Sequence, residues 1–151
     1  MHPVSSACRD TLEYILRICH RLAMSTDVAV EWRRHRSRFA SHWRTSMYAR
    51  KKVVFVSVER ASGLARDVER WAERDAARQP LIKDVPLVQA AAASDRVIIS
   101  MDEAARTLLR MAAMEIAGLR RILWTNPTLP ADDILRWLRA GAPDEDHLLL
   151  R

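Results

Sequence analysis

The run LIKDVPLVQAAAASDRVIISMDEAAR, residues 81–106, decides the fold. Its first part, VPLVQAAAA, predicts a short buried helix, because Pro86 is tolerated in a first turn and the alanines allow close packing. RVIIS then reads as a buried strand of β-branched residues. SMDE, residues 100–103, has the pattern of a capping box and opens a longer helix through Ala104, Leu108, Met111 and Glu115, which Gly118 can close. A helix, a strand and a second helix in close succession are one unit of an α/β protein, and an aspartate stands at each end of its apolar centre: Asp84 and Asp102.

The same alternation extends in both directions. Leu12, Ile15, Leu16 and Cys19 recur at helical spacing, predicting a first helix with one buried stripe. Leu22 to Ser25 is a candidate strand, and Ser25 or Thr26 is a suitable N-cap for a helix through Val28, Glu31 and Trp32. A further helix is expected through Phe39, Trp43 and Met47. KKVVFVSV, residues 51–58, has strand composition, and Leu64, Val68, Trp71 and Ala72 mark the buried side of a charged surface helix. RRILWTNP supplies another short strand stopped by Pro127, and Ile134, Leu135 and Leu138 a last helix ended by Gly141. Short strands separated by helices predict a parallel sheet covered on both faces, a three-layer α/β/α arrangement.

The length of 151 residues suits one domain, 1–151, with a single core. Nearly half of the residues are hydrophobic and only three are Gly, which excludes a disordered chain and favours a packed, helix-rich one. No run is long and apolar enough for a membrane span, and MHPVSSACRD lacks the layout of a secretion signal, so a cytoplasmic protein with no membrane partner is expected. Cys8 and Cys19 are three helical turns apart and are read as reduced thiols. The net charge of +6 rests on Arg: of the 25 basic residues only Lys51, Lys52 and Lys83 are lysines. Guanidinium matches phosphate, so a polyanionic partner is one reading; a genome-wide bias toward Ala and Arg codons is the other.

In a parallel sheet, ligands bind where strand ends lead into helix N-termini. Three acidic residues fall near such ends: Glu31 one turn into a helix that follows a strand, Asp84 opening a helix, and Asp102 just after a strand. With STDVAVEW around Glu31, KDVPLVQAA around Asp84 and VIISMD around Asp102, the chain resembles the PIN-domain nucleases over most of its length, from about residue 7 to 141. The resemblance implies a three-layer fold and hydrolysis of phosphodiester bonds in RNA by water activated on Mg²⁺ or Mn²⁺. It implies that Glu31, Asp84 and Asp102 are both the metal ligands and the catalytic acids. Hard cations take carboxylate oxygens and keep several waters, so a few acids from separate elements suffice to hold them. The bland alternatives are an N-cap for Asp84, a helix-dipole partner for Asp102, and for Glu31 an ion pair with Arg34 or His35.

The resemblance also has a gap. The family opens on a central strand ending in a metal-holding aspartate, whereas this chain passes from MHPVSSACRD almost directly into its first helix, and Asp10 follows no apolar strand. The expectation is a PIN-like domain incomplete at its N-terminus, truncated or with a misassigned start, weakly active or inactive on its own. Strands beside that gap would lack a hydrogen-bonding partner.

The basic run EWRRHRSRFASHWR makes Arg33, Arg34, Arg36, Arg38 and Arg44 the candidate RNA-phosphate contacts, against the plainer reading of a solvated helix face. The five tryptophans fit core packing better than base stacking, with each indole N–H meeting a local acceptor. His20, His35 and His42 lack zinc-site spacing, and no serine sits in a nucleophile elbow. The alternative to a nuclease is a catalytically inactive PIN-like or helical module that binds a protein, such as an antitoxin; a homodimer is compatible with either.

Overall fold

The computed structural model describes residues 3–34 and 37–151, with side chains from Ser6 onward. It is a mixed α/β structure, mostly helical, with two short parallel two-stranded sheets. In chain order the elements are α1 (Pro3–Arg17), β1 (Leu22–Met24), α2 (Thr26–Arg34), α3 (Arg38–Ala49), β2 (Val53–Phe55), α4 (Ser62–Glu73), α5 (Val85–Ala92), β3 (Val97–Ile99), α6 (Glu103–Ala113), β4 (Leu123–Thr125) and α7 (Ile134–Arg139). Short 3₁₀ turns precede α4, α5, β4 and α7, the second running Gln79–Asp84 straight into α5.

β1 pairs with β2 in the register Leu22↔Val53, and β3 pairs with β4 in the register Val97↔Leu123. The two pairs form separate sheets. In β3 and β4 the side chains alternate between two cores, as pleating requires. Ile98, Ile122 and Trp124 join Val68, Trp71, Leu81, Val88 and Leu109 in a core built on α4, α5 and α6. Leu22, Val53, Val97, Ile99 and Leu123 pack instead with Ile15, Trp43, Met47 and Trp137, the side formed by α1, α3 and α7.

Local chemistry explains the helix boundaries. The Ser25 hydroxyl accepts from the Val28 amide at 3.2 Å to start α2, and Ser37 accepts from Ala40 at 3.0 Å to start α3. Each satisfies one of the amides that a helix N-terminus leaves orphaned. At the other end of α1, Lys52 Nζ donates to the carbonyls of Ile15, Leu16 and Ile18, closing the helix with a residue that precedes β2. Burial and the neighbouring Arg50 lower the pKa of this lysine below its ordinary value. Trp32 of α2 stacks on Trp43 of α3 with ring centroids 5.6 Å apart and planes 16° from parallel.

Two expected boundaries move. Asp102, rather than Ser100, caps α6: its Oδ1 accepts from the Ala105 amide at 2.9 Å, while Ser100 still donates its amide to Thr125 as the end of the β3–β4 ladder. The helix then stops at Ala113, well before Gly118, because the Arg120 guanidinium takes the carbonyls of Ala113 and Met114. Gly118 lies in the 3₁₀ turn Ala117–Arg121, with Leu64 close against its backbone.

Tryptophan burial follows the packing expectation. Trp43, Trp71, Trp124 and Trp137 are buried, and Trp32 is half-buried. The indole N–H groups of Trp43, Trp71 and Trp137 reach Leu12 O, Glu115 Oε1 and Pro143 O, whereas that of buried Trp124 meets no acceptor, contrary to the expectation for every tryptophan. Cys8 and Cys19 are both free thiols. No helix among the described residues is long and apolar enough to cross a membrane.

Candidate metal site at the ends of β3 and β4

β3 ends at Ile99, and the chain turns through Ser100 and Met101 to Asp102 at the mouth of α6. Asp84 is brought to the same place by the 3₁₀ turn that leads into α5. The two carboxylates converge on one ammonium: Lys83 Nζ is 3.0 Å from Asp102 Oδ2 and 3.8 Å from Asp84 Oδ2.

The pair is electrostatically unequal. Asp102 is held below the usual carboxylate range, first by the hydrogen bond from the Ala105 amide and then by Lys83. Asp84 is pushed above it by burial, which outweighs the attraction of Lys83, and the nearby Asp102 charge adds to the rise. Lys83 in turn is raised by its hydrogen bond to Asp102 and by both carboxylate charges. These are the directions expected when one acid is solvated by a helix terminus and its neighbour is desolvated.

The geometry also separates the structural explanations of the two residues. Asp102 is an N-cap in full. Asp84 occupies the N-cap position of α5 but makes no capping hydrogen bond. Its Oδ2 is buried and has no hydrogen-bond partner. A buried carboxylate oxygen left without a donor is costly, so capping does not account for this aspartate.

Glu31 is placed differently. It is exposed on the last turns of α2, and its Oε1 receives Arg34 Nη1 at 2.9 Å, the ion pair that the sequence offered as its plain reading. Among the described residues, no three His, Cys, Asp or Glu side chains stand close enough together to hold a metal ion. The structure therefore brings Asp84 and Asp102 together and leaves Glu31 outside their cluster.

Of the candidate phosphate contacts, Arg33, Arg34 and Arg38 are exposed and Arg44 is half-buried; Arg36 and the alternative Glu31 partner His35 lie outside the described residues. The helices that carry these arginines are joined by the Trp32–Trp43 stack.

Sequence reasoning missed three participants. Lys83 is one; only the rarity of lysine in this chain marks it. The second is Asn126, whose Nδ2 donates to Glu103 Oε1 at 2.9 Å and to Met101 O at 3.4 Å, tying the turn after β4 to the turn that carries Asp102. The third is Arg106, buried on α6, which pairs with buried Asp132 at 3.0 Å; Asp132 also accepts from the Asn126 amide at 2.7 Å. This network fixes the floor on which Asp102 stands. Its sequence signal was the Asn126-Pro127 turn, read only as a strand stop.

Two oxygen-bearing acids, one with an unpartnered buried oxygen, suit a hard divalent cation such as Mg²⁺, which is commonly bound through one or two carboxylates and several waters. Comparison of the chain with protein-family models, with curated protein sequences and with solved structures gives no match.

Proposed function

We propose that the chain is a metal-dependent endoribonuclease of PIN-like type, with Asp84 and Asp102 holding Mg²⁺ or Mn²⁺ and Glu31 contributing as an outer acid. The observation that carries this reading is Asp84: a half-buried carboxylate whose buried Oδ2 makes no hydrogen bond and only a long contact to Lys83, doing no capping, beside a second carboxylate at a strand end. Completion of the two sheets into one three-layer, PIN-like sheet belongs to the same proposal. A bound divalent ion supplies an activated water and neutralises charge on the phosphate. Asp102 would present from a fixed cap the oxygen that accepts from Lys83, and Asp84 would contribute charge that burial makes expensive without a cation beside it.

Lys83 then has a defined part. Its side chain is largely exposed, so with a cation held by the carboxylates the ammonium would be free to turn toward solvent or an RNA phosphate. Arg33, Arg34, Arg36, Arg38 and Arg44 are the proposed contacts to further phosphates, and binding through them should weaken steeply as salt rises.

RNA cleavage with Mn²⁺ or Mg²⁺, compared among the chain, Asp84→Asn and Asp102→Asn, tests the proposal. Cleavage that chelation abolishes and either substitution cuts at least about tenfold supports it, in line with the loss of a metal-orienting group. Cleavage indifferent to both substitutions refutes the site. A second reading, a catalytically inactive module that binds a protein partner such as an antitoxin, or a second copy of itself, is favoured by Lys83, whose ammonium lies between the two acids where a cation would sit. On that reading Asp84→Asn leaves RNA untouched and metal without effect.

A further inference from the structure

The sheets of this molecule stop short of each other, and the hydrogen-bond pattern shows on which side. In β1, Leu22 and Met24 exchange bonds with β2, through Leu22 N to Lys52 O and Val56 N to Met24 O. Parallel pairing uses alternate residues, so the N–H and C=O of Ala23 point to the other edge. In β3, Arg96 and Ser100 bond to β4, through Leu123 N to Arg96 O and Ser100 N to Thr125 O. The N–H and C=O of Val97 and Ile99 therefore point away from β4. Among the described residues neither edge meets another strand.

Both edges open on one cleft of about 910 Å³. Ala23 lines it from β1, and Val97 and Ile99 line it from β3. Its walls are mostly apolar, with Leu87, Ala90 and Ala93 from the α5 side and Trp43 and Trp137 from the opposite side, while Arg21, Asp95 and Asp144 also line it. Backbone donors and acceptors facing a largely apolar slot are costly unless something pairs with them. An aliphatic ligand would cover the walls yet leave those groups unmet. Only extended polypeptide satisfies both, by adding a strand.

We infer that the cleft is a strand-acceptor site, which takes a short extended peptide segment with uncharged apolar side chains between β1 and β3. The apolar walls select side chains that are small or β-branched on both faces of the strand, and the edges of three residues each set a short footprint. Occupancy joins the two sheets into one continuous sheet. The inference concerns the cleft and is independent of whether the acidic pair cleaves RNA.

The test adds to the chain an acetylated, amidated peptide of alternating Val and Ala flanked by lysines for solubility. Hydrogen exchange is followed at the amides of Ala23, Val97 and Ile99, with the Ile98 amide, already committed to β4, as internal reference. The peptide should slow exchange at the first three amides by about tenfold or more and leave Ile98 unchanged. A twin peptide methylated on every backbone nitrogen, and so unable to pair at either edge, but identical in side chains, should protect none of them. Ala93→Leu, which enlarges a cleft-lining side chain just past the end of α5, should weaken protection while Ile98 keeps its own. Equal protection by both peptides would reduce the cleft to a greasy pocket and overturn the inference. So would unchanged exchange at all three amides with saturating peptide, or exchange already as slow as that of Ile98 in the free chain.

Discussion

The two strand pairs have the same length and the same parallel pairing, yet they inhabit different surroundings. β4 is buried at all three residues, and its far side is covered by the C-terminal segment, through Trp124 N to Leu148 O and Leu150 N to Ile122 O. In β2, Val54 and Phe55 are exposed, Phe55 to 67%. The β3–β4 half also carries the buried Arg106–Asp132 pair and the large core on α4, α5 and α6, whereas the ion pair Arg34–Glu31 of the β1–β2 half lies in solvent. The contrast separates two tasks. Burial and buried pairing are concentrated where the two aspartates stand, and the basic helices α2 and α3 belong to the more open half.

The largest effect that would break this comparison is expected at Arg106. Arg106→Ala leaves Asp132 buried without its partner and should cost about 3–5 kcal/mol in urea denaturation. Arg34→Ala, in the other half, should cost less than about 1 kcal/mol, since exposed pairs contribute little. Comparable losses from the two substitutions would show that the halves are not differently built.

Next comes the core. Leu109, fully buried on α6, should lose about 2–5 kcal/mol on truncation to Ala, the range for a large core side chain replaced by a cavity. Thermal and denaturant midpoints measure it directly.

The aspartates sharpen the comparison within the more buried half, because their pKa shifts run in opposite directions. Asp102 is lowered, so its stabilisation is present above the ordinary carboxylate pKa and is lost as pH falls through the lowered value. Asp102→Ala should cost about 0.5–2 kcal/mol at neutral pH, as removal of a helix cap does. Asp84 is raised, so the folded state holds its proton more tightly than the unfolded chain. Stability therefore declines as pH rises from the ordinary carboxylate value through the raised one. Asp84→Asn should remove that decline and make the protein more stable at neutral pH. Denaturation midpoints along a pH series check both signs, and a destabilising Asp84→Asn would remove the case for a strained, ligand-holding carboxylate.

The smallest effect is expected at the outer edge of β2. Phe55→Ser should change stability by no more than about 0.5 kcal/mol, the usual range for a surface substitution. A larger loss in a concentration-dependent midpoint would instead show this edge covered by a second copy.

Much of the element order could be read in the sequence because it rests on local patterns. The β-branched run at Val97–Ile99, the Ser25 cap and the helical stripe of Leu64, Val68, Trp71 and Ala72 each carry their signal within a few residues. Asp84 and Asp102 were legible as a pair because strand ends and helix starts converge in α/β proteins. Features built by residues far apart were not. The α6 stop depends on Arg120 folding back onto Ala113, and the α1 stop on Lys52 reaching Ile15, Leu16 and Ile18. The cap of α6 moved from Ser100 to Asp102 because the ladder to β4 retains Ser100, a competition that no window around SMDE records. Lys83 between the acids, the separation of Glu31 from them and the cleft between the sheets all depend on how distant segments are laid side by side.

The face-to-face indoles of Trp32 and Trp43 have an optical consequence. Two parallel chromophores at that spacing share their excited states, so the pair should give an exciton couplet in the aromatic circular dichroism, which replacing either ring with Phe would erase. Since one ring belongs to α2 and the other to α3, the couplet's amplitude reports how firmly the arginine-bearing helices are clamped together. Its loss on heating or on addition of polyanion, read as the difference from the Phe variant, would give a label-free signal from the open half of the molecule.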